Sequence, residues 1–252
     1  MARHGVSRTI CLLVRLLWLA LTVTAPAMDV GANFWNLGWH KPDDCFRDFK
    51  NVTGDHPWNP QFLKEISIYR SLRFMDWDNT NGSERERWAQ RPEKHAAKQN
   101  PVAYEWMIDL CNRNHSNFWV TVPHRTINRA LTNEPSDYAL RLCILVKTGV
   151  DMRETDLTPL LPKLSAISAK DFLKAGGVKT SEPLKPNLKL YVEYSNETWN
   201  GAFEHFCYYA HVGQAGNGGA WGAIEFTGQP LAEAHKYRAL VEWANSTPPK
   251  QP

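Results

Sequence analysis

The sequence predicts an α/β fold in which about four strand–helix units build a parallel sheet. Four short segments with alternating apolar and polar residues are typical of strands, and a segment with helical spacing of apolar residues follows each of them. This alternation implies right-handed crossovers and parallel neighbouring strands. Polar and aromatic residues follow several of the strands, at the edge where parallel α/β sheets bind their ligands.

The first two units occupy the N-terminal part of the chain. Residues 32–37 predict the first strand, and Asn59-Pro60 predicts the start of a helix that continues to about residue 69. Residues 72–77 predict the second strand. Residues 102–112 predict its helix, because their apolar side chains recur on one face.

The third and fourth units follow the same pattern. Residues 117–124 and 188–195 predict strands, and residues 135–146 and 231–245 predict the helices that come after them.

The long segment 151–187 interrupts the alternation between the third helix and the fourth strand. It contains four prolines and one short helical piece, which begins at a Ser168–Asp171 capping box and ends at Gly176-Gly177. Ordinary connections between a helix and a strand are much shorter. The segment is interpreted as an insertion, with three alternatives: a lid over a cleft, a disordered spacer, or sequence foreign to the fold.

The end of the fourth strand carries the clearest chemical signal. The strand runs into Asn196 and Glu197, and Trp199 follows. A carboxyl group there can protonate a glycosidic oxygen, an amide can bind a ring hydroxyl, and an indole can stack on a sugar ring. The structural alternative is a strand-to-helix turn with Asn196 as N-cap and Glu197 in the first helical turn.

A strand followed by Asn-Glu and an aromatic residue resembles the fourth-strand signature of the retaining clan of (β/α)8-barrel glycoside hydrolases, which includes cellulases and β-mannanases. The resemblance covers about residues 31–246 and implies a partial (β/α)8 TIM barrel, the N-terminal half, with the C-terminal half missing. It implies that Glu197 is the acid/base and that Asn196 binds the sugar's 2-hydroxyl. The nucleophilic Glu of the clan comes from strand seven, so the chain alone is expected to be inactive as a hydrolase.

The resemblance also implies roles for residues on the other strands. Arg73 occupies the position of an arginine that steadies the catalytic carboxylates, and its alternative role is an ion pair with an interior acid such as Glu193. His124 ends the third strand, either as a sugar ligand or as a histidine bound to neighbouring backbone. Trp35 is expected to stack on sugar, as are other tryptophans at or beyond strand ends, namely Trp39, Trp77, Trp199 and Trp221.

Two acids follow the second strand. Asp76 and Asp78 are expected to be turn or N-cap residues. An inverting mechanism assisted by Asp76 is the alternative, because neighbouring strands place it near the upper limit of the separation from Glu197 that inversion requires.

Residues 1–27 predict a secretory signal peptide, with basic Arg3 and Arg8, a short apolar stretch and a small-residue cleavage site after Ala27. A short N-terminal membrane anchor is the alternative. The three arginines of this segment account for the whole net charge of +3. The mature chain is therefore expected to be neutral and secreted, with no footprint for nucleic acid or membrane.

Four cysteines remain after cleavage, and they permit three pairings. Cys111 and Cys143 are expected to form a disulfide, because they lie on consecutive outer helices. The spacing of Cys and His predicts no metal site, and no cofactor is expected. Asn196 is also in a glycosylation sequon and is expected to be unmodified; the other sequons begin at Asn51, Asn81, Asn114 and Asn245.

The domain prediction is thus a signal peptide over 1–27, a partial barrel over 28–246 and a disordered tail over 247–252. The functional prediction is a secreted glycoside hydrolase-like protein whose partner is a β-linked polysaccharide or oligosaccharide. The alternatives are a non-catalytic secreted carbohydrate-binding protein and a truncated fragment without function.

Overall fold

The structure is a computed structural model. It describes residues 29–34, 57–75, 77–96, 99, 101–126, 137–153, 155–196, 202 and 238–246. The predicted signal peptide and the predicted C-terminal tail lie outside these residues.

A four-stranded parallel sheet forms the centre of the described chain, with strand order β1-β2-β3-β6. The strands are β1 Gly31–Asn33, β2 Ser71–Arg73, β3 Asn117–Val122 and β6 Leu190–Tyr194. Each strand pairs in parallel with its neighbour. The predicted α/β class with a parallel four-stranded sheet is therefore confirmed.

Helices connect these strands. They are α1 Pro60–Ile66, α2 Tyr104–Asn114, α3 Asp137–Thr148 and α4 Ala169–Lys174, and residues 238–245 are also helical. Among the described residues, three short 3-10 helices cover Thr80–Gly82, Trp88–Gln90 and Leu161–Ala166. In the described part of the chain, none of the helices is both long and apolar enough to cross a membrane.

The start of α1 shows how local sequence determines a helix end. The Asn59 side chain accepts a hydrogen bond of 2.9 Å from the Gln61 backbone N–H, and Pro60 occupies the first turn. Both features were expected from the Asn-Pro pair. The helix is shorter than predicted, because it ends at Ile66 and Ser67 caps it.

One face of the sheet packs against the helices and forms the core. Leu72, Phe118 and Leu190 come from three adjacent strands and are fully buried on this face. They belong to one apolar cluster that also contains Met107 of α2 and Ile144 of α3. The core thus fixes which side of each strand points away from the helices.

Residues 151–187 contact α2 and α3: the Asn112 amide donates to the Pro183 carbonyl, and the Leu184 N–H donates to the Val146 carbonyl. The segment contains the antiparallel pair β4 Val150–Asp151 and β5 Val178–Lys179, together with α4. The Ser168–Asp171 capping box is formed, with the Ser168 hydroxyl 2.7 Å from the Asp171 carboxylate. Phe172 of α4 is fully buried in the core.

A close backbone contact joins this segment to the end of α3. Gly149 has a positive φ of 69°, and its carbonyl accepts hydrogen bonds from the backbone N–H groups of Thr180 and Ser181. A side chain at position 149 would overlap the Ser181 carbonyl oxygen. The chain therefore needs glycine here, for both its conformation and its close packing.

A buried ion cluster joins the same segment to α2. The Arg91 guanidinium donates two hydrogen bonds to Glu105, at 2.7 and 2.8 Å, and one of 2.7 Å to Asp151. The Arg91 side chain is fully buried. Burial by itself lowers the pKa of Arg91, but the Glu105 and Asp151 carboxylates outweigh it, so the pKa is raised. The cluster holds Arg91 charged inside the fold.

The predicted disulfide is wrong. Cys111 and Cys143 are both free and buried, each in the core cluster. The Cys111 thiol lies 3.7 Å from the carbonyl oxygen of Asn117, so it points towards the start of β3. The two helices are consecutive, but these cysteines lie in the core, on faces that pack inward. Cys45 and Cys207 lie outside the described residues.

Candidate functional site

Arg73, the last residue of β2, is the centre of a polar cluster on the sheet face opposite the helices. Its Nε atom donates a hydrogen bond of 2.8 Å to one carboxylate oxygen of Glu193 on β6, and its Nη2 atom donates one of 2.8 Å to the other. The geometry is the bidentate arrangement that makes arginine–carboxylate pairs strong and directional. This is the ion pair with Glu193 that the sequence left as the alternative role of Arg73.

The same guanidinium connects three strand ends. Nη2 donates to the Asn196 side-chain oxygen at 3.0 Å, just after β6, and Nη1 donates to the Asn33 oxygen at 3.1 Å at the end of β1. The Asn196 amide nitrogen in turn donates to the Asn81 oxygen at 3.1 Å. Arg73 therefore fixes the orientation of Asn196 relative to the sheet.

The backbone immediately before Asn196 has an uncommon conformation. Ser195 has a positive φ of 56°, and its N–H donates to the Val122 carbonyl at the end of β3. Such left-handed conformations in residues other than glycine cluster at functional turns, because surrounding contacts must hold them. The turn directs the chain out of β6 just before Asn196, which is 5 % exposed.

Glu193 is placed to hold other groups rather than to donate a proton. Its carboxylate accepts the two hydrogen bonds from Arg73 and a third, of 3.1 Å, from the indole N–H of Trp119. A carboxyl group that accepts from three donors positions those donors.

The structure brings together only some of the predicted site residues. Arg73 and Asn196 are in contact, as expected for strand ends that meet at one edge of a sheet. His124 follows the end of β3 and is 1 % exposed. This burial favours the alternative in which His124 is bound within the fold. Six predicted residues lie outside the described chain: Trp35, Trp39, Asp76, Glu197, Trp199 and Trp221.

Trp77 was expected to stack on sugar, and this is wrong. Its side chain is 3 % exposed and packs against Phe74 with ring centres 4.9 Å apart and against Phe34 at 5.6 Å. The second strand ends at Arg73, earlier than predicted, and the following turn carries Trp77 into the core.

Asp78 is a buried acid at the centre of a polar network. It is 1 % exposed, accepts hydrogen bonds from Thr80 and the Tyr104 hydroxyl, and lies 3.2 Å from Arg85. Burial and the adjacent Asp78 carboxylate raise the pKa of Tyr104 well above its usual value. Asp78 therefore supports the loop after β2 from inside the fold.

A shallow polar cavity of about 390 Å³ lies in this same loop. Asn79 and Gly82 line it, and they flank in the sequence Asn81, whose side chain accepts a hydrogen bond from Asn196. Its lining combines amide, hydroxyl, carboxylate and guanidinium groups: Asn79, Gly82, Ser83, Glu84, Arg85, Gln90 and Pro101. The surroundings of the strand-end cluster are thus rich in neutral and charged hydrogen-bonding groups.

Sequence reasoning missed several residues of the cluster. Asn33, Trp119 and Tyr191 occupy the face of their strands that the helices do not cover, and the alternation along each strand was the signal that would have placed them there. Asn81 carried no comparable signal, because it lies in the loop after β2 and reaches Asn196 only through the fold. Within the described chain, no group of three or more His, Cys, Asp or Glu side chains is placed to hold a metal ion.

Comparisons with protein-family models, with curated proteins and with solved structures gave no match to this chain.

Proposed function

We propose that this chain is a secreted carbohydrate-binding protein of glycoside hydrolase type, whose parallel sheet corresponds to the first half of a (β/α)8 barrel. Residues 1–27 serve as the signal peptide. The ligand is a β-linked polysaccharide or oligosaccharide. The proposal rests on the resemblance of the Asn196-Glu197 segment to the retaining clan.

The observation that carries the proposal is the hydrogen bond between Arg73 and Asn196. It holds the Asn196 side chain at the C-terminal end of β6, directly before Glu197 in the chain. Ligands of parallel α/β sheets bind at such strand ends. Arg73 is itself locked by Glu193, so the amide is oriented before any ligand arrives, which reduces the ordering cost of binding.

In the proposed chemistry, Asn196 binds the 2-hydroxyl of the sugar and Glu197 donates its proton to the glycosidic oxygen. Retention then requires a second carboxylate about 5–5.5 Å from Glu197 to trap the sugar carbon. Among the described strands, the acid nearest along the chain is Glu193, which Arg73 occupies. A general acid acting alone supplies only about 10²–10⁴-fold acceleration. We therefore expect the chain alone to bind the oligosaccharide but to hydrolyse it at a negligible rate.

Titration calorimetry of the purified full chain with cellohexaose and mannohexaose tests this function. We expect measurable binding of at least one oligosaccharide and a loss of about tenfold in affinity in Asn196→Ala. Asn187→Ala is the matched control, because Asn187 is an exposed asparagine in the turn that precedes the same strand. Its affinity should equal that of the wild type.

Two results contradict the proposal. Absence of binding to both oligosaccharides would remove the carbohydrate function. Rapid hydrolysis of an aryl β-glycoside by the chain alone, lost in Glu197→Gln, would show that a partner carboxylate is present and that the binding-only assignment is wrong.

A separate observation supports the alternative function, a carbohydrate-binding protein without catalytic activity. Trp119 and Tyr191 are large aromatic residues that remain 38 % and 45 % exposed on the sheet. An exposed aromatic pair favours a role in binding, whether or not Glu197 takes part in chemistry.

A further inference from the structure

A side-chain hydrogen bond joins the loop after β2 to the end of β6. The Asn196 amide nitrogen donates to the Asn81 side-chain oxygen at 3.1 Å, although 115 residues separate the two in the chain. Asn81 is the middle residue of the 3-10 turn Thr80–Gly82, and it is half-buried. Because Asn196 is the proposed sugar ligand, the groups that hold its amide decide which atom it presents to that sugar.

The two contacts of Asn196 fix the orientation of its amide. A guanidinium can only donate hydrogen bonds, so Arg73 requires the oxygen of Asn196 to face it, at 3.0 Å from Nη2. The amide nitrogen then faces the other way, where Asn81 supplies an acceptor. Both contacts therefore select the same one of the two orientations that an amide can take by flipping.

The turn that carries Asn81 is anchored inside the fold. The Thr80 hydroxyl donates to Asp78 at 3.0 Å and lies 2.7 Å from the hydroxyl of Thr121 on β3. Tyr104, at the start of α2, donates to the other carboxylate oxygen of Asp78. All four of these residues are at most 1 % exposed, so water does not compete for their hydrogen bonds. The turn is thus tied to both the sheet and the helical layer.

The backbone around Asn81 is constrained as well. Asn79 has a positive φ of 61°, and its carbonyl accepts a hydrogen bond of 3.3 Å from the Gly82 N–H. Beyond the turn, Arg85 lies 3.2 Å from the same Asp78 carboxylate. The loop therefore returns to one buried acid on both sides of the turn, and this gives Asn81 a fixed position.

We propose that Asn81 is a positioning residue, which fixes the Asn196 amide so that it offers the ligand an N–H group and selects an oxygen acceptor such as a sugar hydroxyl. Asn81 uses one N–H of this amide, and no second acceptor among the described residues takes the other. Asn81 acts through Asn196 and does not touch the ligand. The inference rests on the proposed function, because it concerns the same Asn196.

Calorimetry with cellohexaose and mannohexaose tests this role on the purified full chain, produced in a bacterial host so that the sequons at Asn81 and Asn196 stay unmodified. We expect Asn81→Ala to weaken binding about fivefold. Asn81→Asp keeps an oxygen acceptor at this position and should bind within about twofold of the wild type. Glu86→Gln changes an exposed residue of the same loop and should bind as the wild type does. Thermal unfolding verifies that each variant is folded.

A double-mutant cycle separates positioning from direct contact with the ligand. If Asn81 acts through Asn196, then Asn81→Ala has no amide left to orient in the Asn196→Ala background and should cause no further loss of affinity. A further loss of about fivefold in the double variant would show that Asn81 touches the ligand itself, and would overturn the proposal. Wild-type affinity in Asn81→Ala would overturn it too.

Nuclear magnetic resonance of the isotope-labelled chain tests the contact without a ligand. The side-chain amide signal of Asn196 is identified by its absence from the spectrum of Asn196→Ala. Asn81→Ala should move this signal, whereas Glu86→Gln should leave it in place; an unmoved signal in Asn81→Ala would overturn the proposal. If the wild type binds neither oligosaccharide but the signal moves, the proposed function fails and the positioning of Asn196 by Asn81 stands.

Discussion

Replacing Arg91 with methionine should destabilise the protein more than any exposed charge substitution. The change removes the cation that Glu105 and Asp151 share, while it keeps the length and much of the packing of the side chain. The Glu105 side chain is 1 % exposed and that of Asp151 is 10 % exposed. The substitution therefore leaves two carboxylates inside the fold with little access to water.

The magnitude follows from the cost of an unpaired buried charge. Removing one partner of a buried ion pair costs about 3–5 kcal/mol, and a domain of ordinary stability has only about 5–15 kcal/mol in total. The guanidinium also stacks over the Trp88 ring at 4.5 Å, and Trp88 donates a hydrogen bond of 2.7 Å to Asp151. We expect the loss in Arg91→Met to lie within that range, because Glu105 loses both hydrogen bonds of its ion pair, whereas Asp151 keeps Arg153 at 3.4 Å.

Urea denaturation followed by far-UV circular dichroism measures this loss. Arg91→Met combined with Glu105→Gln should be more stable than Arg91→Met alone, since the unpaired charge of Glu105 is gone. Arg238→Met is the control: Arg238 pairs with Glu242 on an exposed helix face, and its loss should not be measurable. A free energy of unfolding for Arg91→Met within about 1 kcal/mol of the wild type would refute the reasoning.

Two further predictions concern the backbone and the thiols. Gly149→Ala should lower the free energy of unfolding by about 1–3 kcal/mol because of its positive φ alone, and by more because of overlap with the Ser181 carbonyl. Gly82→Ala is the control, because a side chain there meets only ordinary contacts and its stability in the same urea assay should equal that of the wild type. Equal stability of the two variants would contradict this prediction. Burial raises the pKa of Cys143 from 9.0 to about 12 and raises the pKa of Cys111 well above 9.0. Because these pKa values are higher in the folded than in the unfolded state, the thiols' contribution to stability is complete below about pH 9 and is lost as the pH rises towards 12. Cys111 and Cys143 should therefore resist maleimide at pH 8 until the protein unfolds. Rapid labelling of either of these two residues in the native chain, located by peptide mass spectrometry, would disprove its burial.

The sequence by itself determined the order and direction of the elements. The apolar periodicity of residues 117–124 and 188–195 was sufficient to predict β3 and β6 to within about two residues, because both strands bury one face in the core. Helix ends with local signals were equally predictable: Asn59 caps α1, and the Ser168–Asp171 box caps α4. These features depend on residues close together in the chain.

Contacts between distant residues were decided only by the tertiary structure. The spacing of Cys111 and Cys143 allowed a bridge, yet helix packing turns both into the core. The Asp151 carboxylate had no marker in the sequence as a partner of Arg91, because that contact joins β4 to the loop between β2 and α2, 60 residues away in the chain. Strand register likewise decides that Arg73 lies between Asn33 and Trp119. Periodicity shows which side chains share a face of one strand, whereas their neighbours across the sheet depend on how all the strands and helices pack together.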